Sequence, residues 1–172
     1  MGFTPLEGIM MGTRCGSIDP AIVLFLQTKL GMKPDEIDNL LNKKSGLKGL
    51  SGISNDVRDL RVDRTERVEK TLDVYAYRAV KQIGAYIAAM GGCDAIVLTA
   101  GVGENVGIMR EKIVSQLSAF DVELDRDANA SDDEYGGDKP RATNISKGSL
   151  PVLVIPTNEE LMIARQTRAL VE

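Results

Sequence analysis

Apolar and polar positions follow two periods along this chain, and the change from one to the other divides it. Val68, Leu72, Tyr75, Ala79, Ile83, Tyr86, Ile87 and Met90 recur at spacings of three and four, which predicts a long amphipathic helix over 66–90, ended by Gly91-Gly92. Upstream, Asp19-Pro20 precedes apolar Ile22, Val23, Phe25, Leu26 and Leu30 and then Gly31, predicting a helix with Asp19 as N-cap, Pro20 at its first position and a glycine stop. A second short helix is expected from Pro34 through Leu41, and the Gly- and Ser-rich stretch 45–55 reads as an ordered loop, too flexible for a packed helix. Downstream the pattern shortens. Residues 95–99 form an apolar, β-branched run expected to be a strand buried on both faces, leading into a glycine loop at 101–105 and a helical segment through Leu117. Residues 120–124 alternate like a strand, 126–149 read as a polar surface excursion, and a strand at 150–155 runs into a helix over 159–171. Helix alternating with strand after residue 65 predicts a layered α/β domain whose strand-end loops carry the site, with no internal repeat.

Composition narrows the chemistry. At 172 residues one sizeable core, and so a single domain over 1–172, is the expectation. There is no His, which removes Ser-His-Asp and Cys-His catalysis and every zinc pattern needing an imidazole. Lys and Arg number 21 against 25 Asp and Glu, for a net charge of −4, and aromatics are 4% with no Trp. That balance argues against nucleic acid as a partner. Cys15 and Cys93 have no C-x-x-C spacing, which suits reduced thiols in a cytoplasmic protein, and no apolar run is long enough for a membrane helix.

Four segments carry candidate chemistry, each with an ordinary alternative. Gly101, Val102, Gly103, Glu104 and Asn105 lie between the predicted strand and helix, where glycines let a ligand approach the backbone and a helix start favours an anion. The spacing G-x-G-x-x-x-G matches neither the dinucleotide nor the P-loop pattern, and a tight turn explains it equally well. Thr157 with Glu160 fits a capping box, while a glutamate there suits Mg²⁺, a hard cation held by one or two carboxylates with water and phosphate oxygens. Asp56, Val57 and Arg58 read as a helix start with Asp56 and Asp59 flanking Arg58 in an ion pair. Arg14, in Gly12-Thr-Arg-Cys-Gly16, projects from a small-residue turn, as a phosphate ligand or as a surface arginine. Lys43, Lys44 and Lys48 make a solvated basic cluster.

Taken in order, Met1-Gly-Phe-Thr-Pro-Leu-Glu-Gly8, Met11-Gly-Thr-Arg-Cys-Gly-Ser-Ile-Asp-Pro20, Ser51-Gly-Ile-Ser-Asn-Asp-Val-Arg-Asp59, Thr99-Ala-Gly-Val-Gly-Glu-Asn105 and Ile155-Pro-Thr-Asn-Glu-Glu-Leu161 closely resemble the C-terminal half of acetate kinases. The resemblance spans essentially the whole chain. It implies the α/β C-terminal domain of an actin/hexokinase-like (ribonuclease H-like) kinase, a layered sheet with helices and a helical insertion near residues 17–62. It further implies Mg²⁺-dependent, reversible phosphoryl transfer between ATP and acetate, giving ADP and acetyl phosphate, by a protein that pairs as a homodimer through this half.

Position by position, Arg14 matches the arginine that stabilises the transferring phosphoryl group. Asp56, Val57 and Arg58 match a nucleotide-contacting segment, Gly101 to Asn105 match the adenosine-side loop, and Glu159 matches the magnesium-linked glutamate. Family members are more than twice as long, and their N-terminal portion carries the acetate-contacting arginine, a catalytic aspartate, a transition-state histidine, an asparagine near the metal and the loop gripping the β-phosphate. The expectation is therefore the nucleotide-side piece of a longer kinase, inactive alone. Val57 replaces what is often a larger apolar residue, and Val106-Gly107 depart from a commoner polar continuation. Two alternatives stand beside this: a propionate or butyrate kinase domain, and a non-catalytic nucleotide-binding or dimerisation module using the apolar faces of helices 19–31 and 66–90.

Overall fold

The computed structural model describes residues 2–63, 65–131 and 142–171. Contacts group the chain into two units, Met1–Cys93 and Asp94–Glu172.

The first unit is helical: α1 (Ala21–Leu30), α2 (Pro34–Lys43), α3 (Gly46–Ser51), α4 (Val57–Leu60) and α5 (Glu66–Met90). The Asp19 carboxylate accepts the Ala21 amide at 2.8 Å and Gly31 turns left-handed at φ +66°, so α1 has the expected cap and stop, with Pro20 just outside it. None of its residues is buried. The helix α2 opens with the Glu36 carboxylate accepting the Lys33 amide at 2.7 Å and ends at Lys43. The 45–55 segment corrects the expected loop, because residues 46–51 are helical. Its glycine serves close approach: a Cβ on Gly46, at φ +64°, would stand 2.1 Å from the Met11 carbonyl oxygen. That carbonyl accepts the Leu47 amide at 3.0 Å and the Gly12 carbonyl accepts Lys48 at 2.9 Å, so neighbouring chain satisfies donors that the start of a helix leaves orphaned. Leu47 and Ser51 are buried where α3 packs on α5. Along α5 burial is confined to Val68, Thr71, Leu72, Ala76 and Ala79, whereas Tyr86 and Met90, expected on the core face, are exposed.

In the second unit, β1 (Ile96–Leu98) leads to α6 (Ala100–Asn105) and α7 (Gly107–Val114), a 3-10 turn at Ser118–Phe120, α8 (Arg126–Ser131), β2 (Thr143–Asn144), β3 (Val152–Val154) and α9 (Glu159–Val171). The sheet order is β1-β3-β2: β1 lies parallel to β3 with Ile96 opposite Val152 and Leu98 opposite Val154, and β2 is antiparallel to β3. Val152, Val154, Val106, Met109, Val114, Leu117 and Ile145 fill its core.

Four expectations change here. β1 is an edge strand among the described residues, so Ile96 is buried while Val97 is 49% exposed. The glycine loop at 101–105 is helical, as α6. Residues 120–124 form no strand, because the 3-10 turn and Asp121 at φ +57° bend the chain away, leaving one bridge from Leu124 to Ser146. The polar excursion contributes structure, supplying α8 with buried Asn129 and the strand β2 beside buried Ile145; residues 132–141 of it lie outside the described residues. Among the described residues no helix is long and apolar enough to cross a membrane.

Candidate functional site

The candidate residues fall into two sets, one in each unit. In the first, Arg14 sits on the loop that α3 abuts. Its backbone carbonyl accepts the Met11 amide at 3.0 Å and its guanidinium lies 3.6 Å from the Met11 sulfur, leaving it half-buried. A Cβ on Gly12 would stand 2.6 Å from the Asn55 carbonyl oxygen, so the loop carrying Arg14 lies directly against the start of the Asp56–Arg58 segment. Asp56 caps α4: its Oδ1 accepts the Arg58 amide at 2.8 Å, and the Arg58 guanidinium donates back to the carboxylate through Nε at 2.9 Å. The Arg58 side chain, and then its amide, hold the Asp56 carboxyl below the ordinary aspartate value. The expected flanking pair is corrected in one respect, since Asp59 instead accepts the Ser54 hydroxyl at 2.6 Å. Val57 is buried at 4% exposure and anchors the segment, and the Arg58 side chain is 62% exposed.

In the second unit the set gathers at the carboxyl ends of adjacent parallel strands, where open α/β sheets place their ligands. Thr99 follows β1 and Thr157 follows β3. The Thr99 hydroxyl donates to the Ile155 carbonyl at 2.8 Å, and Oε1 of Glu104 accepts the Ala100 amide at 2.7 Å and the Thr157 amide at 2.9 Å as well as the Thr157 hydroxyl. The expected capping box is thereby overturned: Thr157 is engaged by Glu104, and Asn158, left-handed at φ +47°, caps α9 by accepting the Leu161 amide at 3.3 Å. Partial burial, the largest single influence, pushes the Glu104 carboxyl up. The bonds from Thr157 and Ala100 are the main influences that outweigh it, so the group lies below the ordinary glutamate value. The glycines separate by role. A Cβ on Gly103 would lie 3.1 Å from the carbonyl carbon of Leu98, which is helix-on-strand packing, whereas around Gly101 no described atom beyond its chain neighbours and its own helix backbone comes within 4 Å of that point.

Arg110 and Asn129 escape the sequence reading. Arg110 is 1% exposed and donates to the Gly103 carbonyl at 3.1 Å, the Glu104 carbonyl at 3.0 Å, Asn129 Oδ1 at 2.7 Å and the Asn129 carbonyl at 2.9 Å. A cation thus meets the carbonyls at the end of α6, where the helix dipole is negative. The signal was present: Val106, Met109, Ile113, Val114 and Leu117 mark a buried helical stripe, and Arg110 stands within it.

Glu159 and Glu160 are exposed in the first turn of α9. Among the described residues no three carboxylate, thiol or imidazole groups cluster as an all-protein metal cage. A pair of exposed oxygen donors suits Mg²⁺, which keeps several waters and shares phosphate oxygens.

Glycine backbone and exposed carboxylates at the carboxyl ends of paired parallel strands stand where open α/β proteins place their ligands. The sequence pattern described as "Acetokinase family" matches residues 1–165. The chain belongs to the acetokinase family. It is 53% identical to an acetate kinase of Halothermothrix orenii and 51% identical to one of Thermotoga petrophila, in each case over all of this chain and 43% of the relative. The fold matches crystal structures of an acetate kinase from Porphyromonas gingivalis (TM-score 0.85, 40% identity, 100% of this chain and 43% of that one) and of a propionate kinase from Francisella tularensis (TM-score 0.83, 37% identity, 95% and 41%). The chain therefore spans under half the length of these relatives, and its fold is the α/β fold of their kinase domains.

Proposed function

We propose that this chain is the nucleotide-side domain of an acetate kinase, which transfers a phosphoryl group reversibly between ATP and acetate. The observation that carries the reading is the cluster at the ends of β1 and β3, with the open flank of Gly101 beside one strand and the exposed Glu159 following the other. Each candidate has a role in phosphoryl transfer, which is mainly positioning and charge neutralisation. Arg14 is the cation for the transferring group, a contribution on the order of 10³–10⁵ in rate. Asp56 holds the Arg58 guanidinium for the nucleotide, with Val57 anchoring both in the core. Gly101 and Val102 present backbone to the adenosine, and Gly103, Glu104 and Asn105 keep that turn in place. Glu159 would hold Mg²⁺, which when bound offsets phosphate charge. Turnover by the chain alone is not expected, because it contains no histidine to match the family's transition-state histidine.

Calorimetric titration with ADP, with and without Mg²⁺, tests the reading. Saturable binding that Arg58→Ala abolishes supports it; binding that ignores Arg58→Ala counts against the residue assignment. The likeness to a propionate kinase favours a second reading of acyl choice, which substrate competition in a full-length enzyme carrying this domain decides. We also propose that α1, none of whose residues is buried, pairs two copies of the chain.

A further inference from the structure

We propose that Glu104 is a positioning residue that acts through Thr157 to set the start of α9, and with it Glu159, against the loop that follows β1. The inference rests on the nucleotide reading above. That reading places Glu104 in the turn beside the adenosine; the geometry adds a connection across to the next strand. A single carboxylate oxygen collects donors from both strand ends, the Ala100 amide after β1 and the Thr157 amide and hydroxyl after β3.

The hydroxyl protons fix the direction of this connection. Thr99 and Thr157 have one hydroxyl proton each, and their oxygens stand 3.0 Å apart. The Thr99 oxygen also lies 3.3 Å from Oε1 of Glu104, but its single proton goes to the nearer Ile155 carbonyl at 2.8 Å, and the Thr157 proton goes to Glu104. An ionised carboxylate only accepts, so it matches this set of donors, and charge-assisted bonds of this kind are about twice as strong as neutral ones. From Thr157 the path to the metal-side carboxylate is two residues long. It runs through Asn158, whose left-handed backbone and cap on Leu161 fix the backbone from which Glu159 projects. Glu104 is itself held from behind, because Arg110 grips its carbonyl at 3.0 Å. Every link from a buried cation to the first residue of α9 is thus a hydrogen bond or a capped turn.

The test is the Mg²⁺ enhancement of ADP affinity, the ratio of dissociation constants in EDTA and in Mg²⁺, measured calorimetrically on this chain. Thr157→Val removes the hydroxyl and keeps the amide bond; Glu104→Ala removes the acceptor; Thr157→Ser restores the hydroxyl. The expected result is a loss of about 10-fold or more in the Mg²⁺ enhancement for Thr157→Val, as for one charge-assisted hydrogen bond. Affinity in EDTA should hold, and Thr157→Ser should keep the wild-type ratio. Should Glu104→Ala fail to fold, Thr157→Val decides alone, since valine matches threonine in shape. Unchanged enhancement in Thr157→Val overturns the inference, as does equal weakening in EDTA and Mg²⁺, which marks a prop for the loop and nothing more. A wild-type chain that binds no ADP in either condition overturns the nucleotide reading itself, and the positioning role with it.

Discussion

Arg110 shows how far one side chain governs a candidate site it never faces. Its guanidinium serves three backbone carbonyls and the Asn129 side chain, and removing it leaves buried acceptors without those donors. Arg110→Met is therefore expected to lower stability by about 2–4 kcal/mol, read as a shifted urea midpoint. The two neighbouring glycines separate folding from binding. Gly101→Ala meets no described atom beyond its own stretch of helix and exchanges a poor helix former for a good one, so unfolding should change by about 1 kcal/mol or less, in the stabilising direction. ADP affinity should fall, because the methyl occupies the open flank. Gly103→Ala pushes into the backbone of Leu98 and should cost about 1–3 kcal/mol whether or not nucleotide is present.

Among elements, those with a local cause were legible and those with a tertiary cause were not. Periodicity and caps placed α1, α2, α5, β1, β3 and α9 within a few residues of their observed bounds. The helix α3 was missed because its first amides are satisfied by Met11 and Gly12, more than thirty residues upstream, which no local pattern records. The start of α9 was misread for a related reason, since Thr157 fits a capping box until Glu104 arrives from α6. The candidate site was legible only as separate motifs; the connection through Glu104 required the parallel pairing of β1 and β3. It also carries a pH dependence. The Glu104 carboxyl lies below its ordinary value in the folded chain, so its stabilisation is complete above the ordinary value and fades as pH falls through the depressed one. The gap in melting temperature between wild type and Glu104→Gln should be widest at neutral pH and narrow as pH falls below the ordinary glutamate value.

For the whole molecule, the apolar residues left outside decide its behaviour in solution. Leu24 and Phe25 of α1 are 62% and 54% exposed. If α1 pairs two copies as proposed, Phe25→Glu should convert a dimer to a monomer by light scattering, with the intrinsic fold retained because the residue is not buried. An unchanged mass would remove α1 from the interface.

The sheet of the second unit has a separate consequence. It ends at β1, which pairs only with β3 among the described residues and whose Val97 is half-exposed. Such an edge is a template for any extended chain that meets it, including a partly unfolded copy of the same protein. Colloidal behaviour is then set at this edge: turbidity on storage should rise steeply with concentration, and Val97→Lys should raise the concentration at which it begins while leaving the melting temperature in place. A three-residue strand would in that way limit how much of the protein can be kept in a tube.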